Sequence, residues 1–243
     1  MAFTSFRFIV FLVLAAAAYF LTPKRCRWVT LFVANYVFYF ISGGRIFIYL
    51  LATTVTTYLA TVKIGDMAAK NKIAFNEAKA ELDKEGKKAW KAAFAKKKKR
   101  ILIPTLLFNF GILAVLKYSG FVTENLNLLF AKIGIGTELP VFRFLLPLGI
   151  SFYTFQSMGY LIDVYREKQE PERNFCKLAL FISFFPQIVQ GPISRFGTLA
   201  EQLFRANEFS YTRIKFGVQL MLWGAFKKMV IADRAAGLED NAF

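Results

Sequence analysis

From Phe3 to Leu21 the chain is nearly continuous apolar sequence, interrupted by Arg7, and it reaches the roughly 20 residues that a helix needs to cross a hydrocarbon core. Similar runs recur at Trp28 to Ile41, Ile46 to Val62, Ile101 to Leu116, Phe144 to Tyr165, Phe175 to Ile193 and Ile214 to Ile231. Segments of this kind must be buried in lipid or in one another, and so many of them in 243 residues point to an all-α, polytopic integral membrane protein. The composition agrees, with 56% hydrophobic residues and 29 Phe. A secretory signal is the competing reading of the first run. The run is longer than a typical signal core, and Thr22-Pro23-Lys24-Arg25-Cys26-Arg27 behind it is basic and unlike a small-residue cleavage site, so a retained helix is expected.

The net charge of +16 raises nucleic acid as a partner, and the placement of the charge argues against it. Twelve basic residues against four acidic ones fall between Lys70 and Arg100, with apolar stretches on both sides. The positive-inside rule accounts for this with less strain, so 63–100 is expected to be a basic cytoplasmic loop and no nucleic-acid partner is expected. Lys24, Arg25 and Arg27 form a second basic cluster. If that cluster is cytoplasmic, a helical hairpin turned at Ser42-Gly43-Gly44-Arg45 goes out and returns, and both clusters then place the N-terminus outside. The loop is rich in Ala, Lys and Glu, with Asp83 and Lys87, and Trp90 and Phe94, at i,i+4. A surface helix is expected there, either resting on anionic headgroups or solvated.

The span from Ile101 is expected to end at Lys117-Tyr118, which suit an interface, and Ser119 to Arg143 reads as an outer loop or short interfacial helix. A polar turn is expected from Arg166 to Asn174. No internal repeat stands out.

Polar chemistry concentrates in a few strings. LPLGISFYTFQ, Leu146 to Gln156, leads into YLIDVYR, Tyr160 to Arg166, and places Gln156, Asp163 and Arg166 in or near an apolar segment. Asp163 and Arg166 could share a helical face and neutralise one another, or line a water-filled cavity that holds a polar substrate group. FFPQIVQGPISRF, Phe184 to Phe196, sets Pro186, Gly191 and Pro192 in an apolar run with Gln187, Gln190 and Arg195 between them. Proline removes a backbone donor, so a broken or re-entrant helix is expected, tolerated at membrane depth where it is buried in protein or lines a cavity; a plain kink is the alternative. GAFKKMVIADR, Gly224 to Arg234, closes an apolar segment with lysines suited to an interface.

Cys26 and Cys176 lie far apart and outside any CxxC pair, so no metal site is expected and packing roles are. The sequence holds no histidine, the commonest general base, and no catalytic residue is assigned within it.

The three strings LPLGISFYTFQ with YLIDVYR, FFPQIVQGPISRF and GAFKKMVIADR together resemble the membrane-bound O-acyltransferase family, closest to its bacterial alginate O-acetyltransferase-like branch. The opening, with Pro23-Lys24-Arg25 after the first helix and Asn35-Tyr36-Val37-Phe38-Tyr39, fits as well. The resemblance implies a multi-pass cell-membrane enzyme that passes an acyl group, with acetyl the expected one, to hydroxyls of an extracellular or cell-wall polysaccharide or to a partner carrier protein. The branch that supplies D-alanine to teichoic acids looks less similar around Leu146 to Arg166. The donor would be a substrate, acetyl-CoA or an acyl-carrier thioester, with no bound cofactor, and membrane lipid would surround the chain.

The family's catalytic histidine lies in a C-terminal motif, so residues 1–243 correspond to the N-terminal part of one acyltransferase domain and are expected to be inactive alone. Gln156, Asp163, Arg166, Pro186, Gln187, Gln190, Gly191, Pro192 and Arg195 are the expected substrate-tunnel residues. A non-catalytic membrane scaffold or transporter-like subunit is the alternative from another class.

Overall fold

A computed structural model describes residues 5–43, 47–80, 83–134, 139–140, 146–188 and 191–235, all helix and connection with no strand among them. The chain divides into two compact units, Met1–Thr30 with Ala206–Phe243, and Leu31–Arg205.

The first unit holds α1 (Phe6–Leu21), a short 3-10 turn at Lys24–Cys26, the start of α2 (Arg27–Gly43) and α9 (Tyr211–Phe226). Ser5 caps α1 through the Phe8 amide. Arg27 ties the unit together: its Nε donates to the Thr22 carbonyl at 3.1 Å and a terminal nitrogen donates to the Asn207 carbonyl. Its guanidinium also lies over the rings of Tyr19 and Phe20, a cation–π arrangement that shields the charge. Lys24 pairs with Glu208 at 2.6 Å. Cys26, expected to pack, is exposed. α9 continues into a π-helical stretch, Lys227–Ala232, and buries none of its residues.

The second unit is built on two long helices, α3 (Phe47–Ala78) and α4 (Lys84–Ile133), with α5 (Ile150–Tyr165) packed against both. Then come α6 (Phe175–Ser183), α7 (Phe185–Ile188) and α8 (Phe196–Phe204). α3 and α4 are long and apolar enough to cross a membrane. The hairpin turn expected before α3 lies mostly at 44–46, outside the described residues.

Four helix boundaries depart from the sequence reading. The basic segment is not a separate surface helix, because its residues extend α3 to Ala78 and begin α4 at Lys84. Asp83 accepts the Gly86 amide at 2.7 Å as the N-cap of α4, and so serves the helix start in place of a pair with Lys87. α4 also runs past Lys117-Tyr118 to Ile133. Thr123 and Asn125, which read as loop formers, donate to the Ser119 and Phe121 carbonyls one turn back and so leave the helix intact. α4 stops where Gly134 takes a left-handed φ of 80°.

α5 begins later than Phe144, at Ile150, because Gly149 adopts φ 72° behind Pro147. A Cβ on Gly149 would stand 1.9 Å from Ile188 Cγ2, so glycine is also required for the end of α7 to seat against the start of α5. The expected polar turn between α5 and α6 is present, and Asn174 caps α6 through the Cys176 and Lys177 amides. α8 was not expected; its buried residues Phe196, Leu199, Ala200 and Leu203 follow the i, i+3, i+4, i+7 spacing of an amphipathic helix.

Candidate functional site at the broken helix

The break expected around Pro186 falls at Phe184, whose ψ of 97° is not helical. Pro186 then sits in the first turn of α7, where its missing N–H costs nothing. In an unbroken helix the Phe185 amide would donate to the Phe181 carbonyl. Here Phe185 N donates to Asn35 Oδ1 on α2 at 2.9 Å, while the Phe181 carbonyl accepts from Gln156 Nε2 on α5 at 2.8 Å. Phe38, one turn along α2, stacks on Phe185 with ring centroids 4.8 Å apart. Gln156, expected to line a tunnel, is thus buried and holds α6 to α5.

Gly191 and Ser194 both contact Gln187 of α7. Gln187 Nε2 donates to Ser194 Oγ at 2.8 Å and Gly191 N donates to the Gln187 carbonyl at 2.7 Å. A Cβ at Gly191 would lie 2.7 Å from Gln187 Cα, so this contact requires glycine. Pro186 and Pro192 are exposed, and Gln190 lies outside the described residues. Arg195, at the N-cap position of α8, approaches Asp163 with Nη1 3.8 Å from Oδ1. Asp163 is therefore paired, but not with Arg166 as its spacing suggested. Arg166 follows the last residue of α5 with ψ near 0° and is exposed, which takes it off the helical face. Two residues from separate strings, Asp163 and Arg195, are brought together; Arg166 is not.

A further group escaped the sequence reading. The hydroxyls of Tyr36 and Tyr39 on α2, Tyr153 on α5 and Ser183 at the end of α6, together with Asn35 Nδ2, are buried and make no hydrogen bond among the described residues. Gln187 Oε1 is in the same condition. Tyr36 neighbours Ser183 without closing a hydrogen bond, and Tyr39 neighbours Tyr153. The readable signal was Asn35, Tyr36 and Tyr39 together on one apolar helix, since buried polar side chains in such a segment need partners. Donors held in a water-poor interior can stabilise an oxygen atom that gains negative charge, because nothing must reorganise to receive it.

No family model matches the chain. No solved structure matches it either. Among curated proteins, it is 33% identical over 248 aligned positions to the probable alginate O-acetylase of Azotobacter vinelandii, covering all of this chain and 44% of that protein. It is 32% identical to the probable alginate O-acetylase of Pseudomonas aeruginosa, covering all of this chain and 42% of that protein. Over 168 positions it is 32% identical to the peptidoglycan O-acetyltransferase of Helicobacter pylori, with 58% of this chain and 31% of that protein covered. The chain spans less than half the length of these relatives.

Proposed function

We propose that this chain belongs to the membrane-bound O-acyltransferase family, in the company of the alginate O-acetylases it resembles, and that it forms part of an enzyme that transfers acetyl groups to hydroxyls of an extracellular or cell-wall polysaccharide. The observation that carries this reading is the broken α6–α7 segment with its buried cluster of donors, Asn35 Nδ2, Tyr36, Tyr39, Tyr153 and Ser183. In acyl transfer the acceptor oxygen attacks a thioester carbonyl, the carbonyl oxygen takes up negative charge, and the thiol leaves as the tetrahedral intermediate collapses. The donor cluster suits that carbonyl oxygen, and Gln187 with the Asp163–Arg195 pair shapes the approach to it. The proton of the acceptor hydroxyl needs a general base; the family uses histidine and this sequence has none, so the base comes from outside these 243 residues and the chain alone is inactive.

The donor is a thioester, acetyl-CoA or an acylated carrier, and the acceptor side involves a polysaccharide or a partner transfer protein. The basic ends of α3 and α4 face the cytoplasm and the N-terminus faces outward, as the positive-inside rule directs. The test is acetylation of polysaccharide by the full-length enzyme, carrying Gln187→Ala, Arg195→Ala or Tyr153→Phe, in cells without acetylation of their own. Loss of O-acetyl ester with normal protein levels is expected. Unchanged ester content in all three variants would remove the site assignment.

A further inference from the structure

Asn35 divides its side-chain amide between two tasks. Its Oδ1 accepts the Phe185 amide at 2.9 Å, while Nδ2 is one of the buried donors that make no hydrogen bond among the described residues. A carbonyl oxygen received by Nδ2 is therefore held beside residue 185. Phe38 lies on the same face of α2, three residues after Asn35, and its ring stacks on that of Phe185 with centroids 4.8 Å and planes 29° apart. Both rings are buried. The stack is thus tied to the donor-bearing amide from both sides, through the turn of α2 and through the Phe185 backbone.

The surroundings hold these rings in place. Phe38 meets Tyr39 edge-on at 5.9 Å, and Tyr36 is flanked by Phe32 at 4.5 Å and Phe47 at 5.4 Å. The phenols that carry two of the donor hydroxyls are packed into the same aromatic layer as the stack. The Phe185 backbone is fixed as well, since its amide is the one that the helix break frees and Asn35 receives. In a close-packed interior, an added methylene must push such neighbours out of their rotamers.

We propose that the Phe38–Phe185 stack closes the acyl end of the site and limits the transferred group to acetyl. The proposal rests on the acyl-transfer reading and adds to it the residues that set acyl length. The methyl of an acetyl group fits against the ring faces, whereas each further methylene has to displace a ring. The bond changes are the same for every acyl group: the acceptor oxygen bonds the carbonyl carbon, the C–S bond breaks, and the acceptor's proton passes through the general base to the departing thiolate. Selectivity therefore lies in fit, and one methylene in an apolar pocket changes relative rates by about 10–200-fold.

The experiment uses the full-length enzyme in cells without acetylation of their own, fed propionate or butyrate so that the longer acyl thioesters join the acetyl pool. Esters on the polysaccharide are released with mild base and identified by mass spectrometry. The parent should form acetyl esters almost alone. Phe38→Leu and Phe185→Leu should each raise the butyryl-to-acetyl ratio at least tenfold, and Phe38→Ala further still. The leucine variants keep an apolar side chain in place, so they remain informative where Phe38→Ala fails to fold. Leu102→Ala, a buried change on α4, controls for general loosening and should leave the ratio unchanged. An unchanged ratio in both leucine variants, an equal rise in Leu102→Ala, or loss of every ester in both leucine variants whether or not the protein accumulates would each overturn the proposal. A parent that forms no ester of any kind would sink the acyl-transfer reading and this proposal with it, whereas an acetylating parent with unchanged variants removes only the role of the stack.

Discussion

Asn35 and Gln156 take up the two halves of one absent backbone hydrogen bond: Asn35 Oδ1 receives the Phe185 amide and Gln156 Nε2 serves the Phe181 carbonyl. A helix can be interrupted in an apolar setting only if the freed donor and acceptor are met elsewhere, since an orphaned buried group costs about 1–3 kcal/mol. Two amides from two different helices meet that condition, which makes the interruption a property of the packed unit.

Asn35→Leu and Gln156→Leu should each lower stability by about 1–3 kcal/mol, the cost of the backbone group each leaves unpaired. The double variant should cost less than the sum, because the Phe185 amide and Phe181 carbonyl can then approach one another. Denaturation midpoints in detergent for the four members of the cycle measure this, and strict additivity would count against it.

Lys98 is 8% exposed in its side chain, donates to the Tyr165 carbonyl at 2.9 Å and pairs with Glu167. It therefore compensates the C-terminal end of α5 and holds Glu167, a non-glycine residue at φ 58°. Lys98→Met should destabilise by about 1.5–3 kcal/mol, the range for a hydrogen bond to a charged group, and Glu167→Gly in that background should recover part of the loss by relieving the left-handed backbone. Thermal unfolding of the single and double variants checks both statements.

Gly149→Ala and Gly111→Ala should move in opposite directions. The first forces a Cβ onto Ile188 at a positive φ and should fail to give folded protein at normal yield. The second adds a methyl to α4 where nothing lies within 4 Å and should stabilise by about 0.8–1 kcal/mol. Ile188→Ala should relieve only the side-chain part of the Gly149→Ala defect, since the carbonyl oxygen of residue 188 would still lie 2.8 Å from the new Cβ and the positive φ would remain.

Arg195→Ala should separate activity from stability. Its side chain is 74% exposed and its Nη1 lies 3.8 Å from Asp163, a geometry worth no more than about 1 kcal/mol. A fall in acetyl transfer with an unfolding midpoint close to that of the parent is the expected pattern; a parallel loss of both would make the residue structural.

The Glu208 carboxyl is held below its ordinary range, first by its hydrogen bond from Lys24 and then by that lysine's charge. With the folded pKa depressed, this pair contributes above the unfolded value of about 4.3 and its contribution is lost as pH falls through the folded value. Lys24→Ala should remove that increment of acid sensitivity. The effect should be small and shrink with salt, since both groups are exposed.

Much of this was written in residue types. Pro186 announced the break, Gly191 the close contact beyond it, and the apolar runs the membrane helices. What was not legible depended on distance along the chain. Nothing near Asn35 says that its partner is 150 residues away, and Arg195 and Asp163 meet only because α8 begins where it does. α4 extends past its expected end because Thr123 and Asn125, which look like loop residues, turn their side chains onto the preceding turn. α8 was legible in principle, since Phe196, Leu199 and Leu203 mark one face, but its short length hid it within a polar interval.

At 1.5 Å per residue, the 50 residues of α4 form a rod of about 75 Å, against about 30 Å of hydrocarbon. Much of it must therefore stand outside the lipid, and Trp90 and Lys91 ride near its basic tip. By geometry alone, any small tilt of so long a rod about the part packed on α5 would displace its basic end further than its packed middle.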